Sequence, residues 1–237
     1  METRVTEVAD GVHQLTTHIA EMDFGLNQYL IAAEEPMIFH TGMRGLFPLV
    51  SAGISGVVPL ETLRWVSFGH VEADECGAMN QFLAAAPGAT VTQGMTGCMV
   101  SIGDLADRPP RPLSSGDVLD IGGHRMRWID TPHVPHGWEA GVMFDETTGT
   151  LFCGDLFTRW GEYPATTADD VVGPAVASDA KDDYGSWSLR PDSAAIVRQL
   201  AELDVSTLAL MHGPAFTGDC PAALRDLADA LDTRIAR

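Results

Sequence analysis

Short apolar runs bounded by glycine, proline, asparagine or aspartate punctuate most of the chain. A few longer stretches instead carry apolar residues every three or four positions. The first rhythm reads as β-strand and the second as amphipathic helix. Together they predict strands over 12–16, 28–32, 37–39, 64–68, 118–121, 124–129, 142–144, 150–153 and 207–211, and helices over 76–86, 192–203 and 221–235. Two strand pairs read as hairpins: DIGGHRM sets Gly122-Gly123 between its strands, and FDETTGTLF sets an Asp/Gly turn. In the last helix Leu224, Leu227, Leu231 and Ile235 form one apolar face, and Asp192 or Ser193 is placed to cap the helix before it. Hairpins mixed with strand–helix alternation suggest an α/β protein whose sheets are covered by helices on their outer faces.

Composition narrows this picture. With 237 residues, 45% of them hydrophobic, the chain can bury a sizeable core, and it reads as a single domain over 1–237. The open stretches expected are ADRPPRPLSSG at 106–116 and the acidic, small-residue segment 165–186; neither has the character of an interdomain linker. A formal net charge of −19 excludes nucleic acid as a partner, since binding it requires Lys and Arg to displace counterions. The same charge disfavours anionic membrane surfaces. The N-terminal residues lack a basic start followed by an apolar run, and no stretch approaches the roughly 18–20 apolar residues of a membrane span. Cys76, Cys98, Cys153 and Cys220 are scattered with no CxxC, so neither a zinc knuckle nor a disulfide framework is indicated. A cytoplasmic location is the expectation.

The chemistry lies at the ends of the apolar runs. FGHVEADECG crowds His70, Glu72, Asp74 and Glu75 behind one strand. RMRWIDTPHVP precedes His136, TLFCG precedes Asp155, and TLALM precedes His212. Loops at the ends of packed strands can converge on one point, and carboxylates crowded there need a cation. Six candidate ligands on four such loops could hold two metals sharing Asp155. His133 competes with His136 for one position, although the spacing to Asp155 favours His136. His13, His18 and His124 read as structural. Trp138, Phe157, Trp160 and Tyr163 follow the ligand loops, as walls of a small apolar pocket or as ordinary packing.

These motifs resemble the metallo-β-lactamase superfamily, whose pattern is HxHxDH after one strand, then a later His, a later Asp and a final His. The chain reads HVEADE at 70–75, His136, GD at 154–155 and HG at 212–213. Glu72 at the second position resembles the flavodiiron branch, the oxygen-binding diiron (ODP-like) proteins, which use HxExD. The resemblance implies a four-layer αββα sandwich. It also implies that His70, Glu72 and His136 hold one metal and Asp74 and His212 the other, with Asp155 bridging. Besides Glu72, two further positions depart from the superfamily pattern. His40 stands where a DTG motif commonly carries Asp. Glu75 stands where the pattern has His, as a direct ligand or as an acceptor orienting His212 or a water.

Three histidines and three carboxylates form a hard, anionic donor set that suits two irons, with zinc and manganese as alternatives. The implied activity is that of a stand-alone diiron protein that binds O2 or NO and either reduces it or only senses or stores it. Its electrons would come from a separate flavoprotein or rubredoxin-like donor, because the chain ends one helix after His212 and no flavin site is expected in it. A homodimer is a further expectation. The competing function is a dinuclear hydrolase of a phosphodiester, ester or lactam, using a bridging hydroxide. Against the phosphodiester, only Arg44, Arg159 and Lys181 stand out as loop cations.

Overall fold

The strands follow the period-two rhythm, and their two faces feed different cores. In the computed structural model, which describes residues 1–181 and 187–236, the strands form two seven-stranded sheets. The first runs in chain order: β1 (Thr3–Ala9), β2 (Val12–Ile19), β3 (Phe24–Ile31), β4 (Met37–Phe39), β5 (Trp65–Ser67), β6 (Thr90–Gly94) and β7 (Arg111–Leu113). The second holds β8 (Val118–Asp120), β9 (Arg125–Asp130), β10 (Gly141–Asp145), β11 (Thr150–Phe152), β12 (Thr166–Thr167), β13 (Thr207–Ala209) and β14 (Ala215–Phe216). Its order is β12-β14-β13-β11-β10-β9-β8. Each sheet mixes antiparallel hairpins with parallel pairs, namely β4–β5–β6–β7 in the first and β11–β13 and β12–β14 in the second.

Alternating side chains separate the layers. Tyr29, Ile31, Met37 and Phe39 of the first sheet meet Trp128, Met143, Phe152 and Ala209 of the second in one buried cluster, the interior of the sandwich. Leu26, Leu30 and Ile38 point the other way, onto helices Phe47–Ser55 and Met79–Ala85. Leu151, Cys153 and Leu208 do the same for the second sheet, under helices Val172–Asp179, Ser193–Leu200 and Cys220–Ile235. The result is an α/β protein of two mixed sheets flanked by helices on both outer faces.

The predicted strands and both hairpins are present with shifted ends; Gly122, Gly123 and Gly149 supply the positive φ angles of the two turns. The last helix is Cys220–Ile235, capped by Asp219, whose carboxylate accepts from the amide of Ala222 at 2.9 Å. Leu224, Leu227 and Leu231 are buried, as the apolar face predicts. Helix Ser193–Leu200 has no side-chain cap from Asp192; instead the Ser193 hydroxyl accepts from the amide of Arg190.

Other expectations are corrected. The helix predicted over 76–86 is two pieces, Ala73–Cys76 and Met79–Ala85, so Asp74 and Glu75 sit on a helical turn and not in a loop. The open stretch 106–116 contains β7, and 165–186 contains β12 and helix Val172–Asp179, while 182–186 lie outside the described residues. β1, β7, β12 and β14 escaped the pattern because they are short or lie at polar edges of a sheet, and β6, TVTQG, because its buried positions carry polar residues. Among the described residues no helix is long and apolar enough to cross a membrane.

Candidate metal centre

Register brings the candidate ligands together. β11 and β13 are parallel with Phe152 opposite Ala209, and Asp155 and His212 each lie three residues further on. They therefore leave the same sheet edge side by side. His70 lies three residues past Ser67 of β5, and His136 lies on the loop between β9 and β10. Backbone bonds tie these loops into one rim: Gly141 N to Gly69 O at 3.0 Å, Met211 N to Gly154 O at 3.0 Å, and Asn27 N to Met211 O at 2.9 Å. The Asn27 amide also donates to the carbonyls of Leu210 and Gly213, and the Tyr29 hydroxyl donates to Leu210 O. A buried asparagine inside β3 was a visible signal for this role, since a polar group in an apolar strand must satisfy something.

Two sets of donors face Asp155. In the first, His70 Nε2 is 2.8 Å from Glu72 Oε2 and 2.9 Å from His136 Nε2, and His136 Nε2 is 3.1 Å from Glu72 Oε2. Asp155 Oδ2 lies 3.2 Å from His136 Nε2 and 3.6 Å from His70 Nε2. One ligand atom from each of these four residues falls within 4.8 Å of the others. In the second, His212 Nε2 is 3.3 Å from both Asp74 Oδ2 and Asp155 Oδ1. Asp155 thus turns one oxygen to each set. His212 Nδ1 donates to the carbonyl of Gly25 at 2.9 Å, which leaves Nε2 to face the carboxylates.

The electrostatics show what this arrangement wants. Burial should lower the histidine pKa values, but bonds to Asp155 and Glu72 push His136 up to about 10. Bonds to Asp155 and Asp74 push His212 to about 10 against the same burial. The bonds from His136 and His70 hold Glu72 down to about 2, and Asp155 stays well below the usual carboxylate range despite its burial, through His136 and His212. A cluster that gathers protons this strongly has room for positive charge. Asp74 Oδ1 and Asp155 Oδ1 are buried with no hydrogen-bond partner. Paired imidazole nitrogens 2.9 Å apart beside three carboxylates fit cationic metal better than protons, which would leave two positive rings in contact.

Glu75 is placed differently from the expectation. It does not reach His212; it sits behind His70, with Oε1 3.3 Å from His70 Nδ1 and Oε2 accepting from the amides of Gly69 (2.6 Å) and His70 (2.9 Å). His40, also fully buried, contacts Glu75 Oε1 at 3.3 Å. His133 is turned outwards, with Nε2 3.4 Å from Arg190 Nη1, and stays outside the cluster.

A family model described as ODP family beta lactamase matches residues 24–178, well over half of the chain. The chain belongs to this family. A Nostoc sp. protein that carries the name diflavin flavoprotein A 1 is 25% identical to the ODP-family chain over 209 residues, covering 82% of this chain and 35% of that one. The anaerobic nitric oxide reductase flavorubredoxin of Aeromonas hydrophila is 23% identical over 201 residues, 81% of this chain and 40% of that one. Among solved structures, the rubredoxin oxygen:oxidoreductase of Desulfovibrio gigas matches with a TM-score of 0.82 at 16% identity, covering 97% of this chain and 62% of that one. The fold is therefore that of flavodiiron, metallo-β-lactamase-like cores. The chain spans roughly a third to two fifths of the length of these two curated relatives.

In this ODP-family chain the donors floor a cleft of about 570 Å3, walled by Phe24, Pro135, Thr158, Trp160 and Trp187. Phe24 stacks on the His212 ring at 4.2 Å and meets Trp160 at a tilt, with ring centroids 4.6 Å apart. Of the four aromatic residues expected at a pocket, only Trp160 lines it. Phe157 is buried in the core beneath the second sheet, Tyr163 packs over Gly25, and Trp138 is 57% exposed away from the cleft. Phe24 and Trp187 escaped sequence reasoning because neither neighbours a candidate ligand in the chain.

Proposed function

We propose that this ODP-family chain is a diiron oxidoreductase acting on O2 or NO, working as one metallo-β-lactamase-like domain and fed electrons by a separate flavoprotein or rubredoxin-like donor. The observation that carries the reading is Asp155, with its two oxygens turned to two donor sets rich in carboxylate. His70, Glu72 and His136 would hold one metal, Asp74 and His212 the other, and Asp155 both. Two irons held there would supply one-electron steps to a small diatomic molecule. The chain's own residues supply the rest. Three carboxylates offset the charge that rises on oxidation, and the Gly25 carbonyl fixes the His212 tautomer. The Phe24–Trp160 wall gives the substrate an apolar approach. The name of the Aeromonas relative ties a similar chain to nitric oxide.

The cleft's volume favours one second reading, a dinuclear hydrolase acting on a larger substrate. Among the described residues lining the cleft there is no Lys or Arg, which counts against a phosphodiester. Metal content separates the two. Protein purified anaerobically without added metal should carry about two irons per chain and change its absorption on exposure to O2 or NO. Two zincs that persist when iron is supplied would sink the diiron reading and turn the search to esters and lactams.

A further inference from the structure

His40 and Glu75 stand where the superfamily pattern carries Asp and His, and they come from distant segments. The fold sets them against each other. His40 follows β4 and Glu75 lies on the helical turn Ala73–Cys76; neither is exposed at all. His40 Nε2 and His70 Nδ1 both stand 3.3 Å from the same oxygen, Glu75 Oε1. The backbone builds a socket around that carboxylate. A Cβ on Gly69 would come within 3.2 Å of Oε2, and one on Gly154 within 3.3 Å of Oε1. These glycines directly precede His70 and Asp155, so the chain keeps its smallest residue where the two ligand loops pass the carboxylate. Thr41 completes the socket, its amide and hydroxyl bonding the Glu75 carbonyl at 2.6 and 3.1 Å.

His40 is held there against its own preference. Its φ is 65°, a left-handed conformation that strains a non-glycine backbone. Such strain persists only where the surroundings over-determine it. Its amide donates to the Ser67 carbonyl at 2.8 Å; among the described residues neither ring nitrogen makes a hydrogen bond, and Nε2 meets Glu75 Oε1 as a 3.3 Å ionic contact. Among the described residues the acidic group against this ring is Glu75.

We propose that His40 and Glu75 act as a positioning pair, an acid and a base exchanged together, in which Glu75 fixes the His70 ring and His40 fixes Glu75. The pair would present His70 Nε2 to the first metal, and it rests on the metal reading given under Proposed function. Groups that orient a ligating imidazole contribute about 10–100-fold in metal affinity. Here one such group would itself need a partner, because a buried carboxylate left with fewer donors relaxes or takes up a proton.

The test is an anaerobic Co2+ titration of the whole chain, followed by visible absorption, beside melting of the metal-free protein. Glu75→Gln should weaken the cobalt held by His70 by about 10–100-fold and move its absorption band. His40→Asn should do the same to a smaller degree. The double variant should bind no worse than Glu75→Gln alone, since His40 acts through Glu75. The reciprocal exchange, His40→Asp with Glu75→His, should recover most of the loss. Unchanged cobalt affinity and spectrum in His40→Asn, with only the melting temperature lowered, would overturn the pair, as would strictly additive losses. If Glu75→Gln does not fold, the comparison of His40→Asn with the exchange decides, and an exchange that binds no better than His40→Asn overturns it. Wild-type protein that takes up no cobalt would sink the metal reading itself, whereas normal wild-type uptake with an indifferent His40→Asn sinks the pair alone.

Discussion

At one edge of the sandwich Asp155 lies among histidines, its Oδ1 facing His212 Nε2 at 3.3 Å without a hydrogen bond; at the opposite edge Asp145 meets His124 and is fully engaged. Asp145 accepts from His124 Nδ1 at 2.7 Å, the Thr148 hydroxyl at 2.6 Å and the Thr147 amide at 3.0 Å. Both aspartates lie at strand ends of the second sheet beside an imidazole, Asp145 closing β10 and Asp155 in the loop after β11. The difference is closure. The Asp145 network satisfies its own lone pairs and pins the β10–β11 turn, as a structural pair should. The Asp155 cluster holds more acceptors than the protein fills, which is the mark of a site built for something else.

The largest expected contrast is in metal. Asp155→Asn should lose both metals, a fall in affinity beyond about 100-fold, while Asp145→Asn should bind metal as the wild type does; calorimetric titration checks both. Equal metal loss in the two variants would erase the distinction between the edges.

Stability should reverse the order. Asp145→Asn weakens bonds to a buried charge and should cost about 1.5–3 kcal/mol in urea melts of the metal-free protein. Trp128→Ala serves as a yardstick for the core between the edges. The indole is fully buried against Gly94 and Gly141, so removing it should cost about 3–5 kcal/mol.

The two edges should also respond to opposite ends of the pH scale. His136 and His212 are raised from 6.5 to about 10, so in the metal-free protein their stabilisation is complete below pH 6.5 and is lost as pH rises through about 10. Asp145 is lowered from 3.8: burial works against this, but His124, Thr148 and Thr147 prevail, so its contribution is present above pH 3.8 and is lost as pH falls through its lowered value. Melting curves against pH should therefore show an alkaline limb that metal abolishes and an acid limb that Asp145→Asn shrinks. At pH 7 metal loading should release about two protons per chain in a weakly buffered titration. An alkaline limb unaffected by metal would detach those histidines from the site.

The smallest effect expected is that of His133→Ala. Its ring faces Arg190 outside the cluster, so metal affinity should stay within twofold and stability within about 0.5 kcal/mol.

Much of the fold was legible locally. The run at 37–39 is a strand to the residue, and the face of Leu224, Leu227 and Leu231 is buried, because apolar period reports which side of an element meets a core. β1, TRVTEVA, was not legible: it is an edge strand whose stability comes from pairing with β2, so its own residues need not be apolar. The ligand-type residues were visible because each follows an apolar run. Of the walls of the cleft only Trp160 was legible, since Phe24 and Trp187 reach it across long separations in the chain.

By itself the sequence determined the chemical identity of the donors, their order, and the strand ends that carry them. Tertiary structure decided which of them meet. The parallel register of β11 and β13 sets Asp155 beside His212, the turn of the loop sends His136 inward and His133 outward, and the helical turn at Ala73–Cys76 puts Glu75 behind His70 and against His40. The reason is physical. Periodicity encodes a residue's side of its own strand or helix, whereas pairing register and loop direction depend on contacts between segments that no local pattern contains.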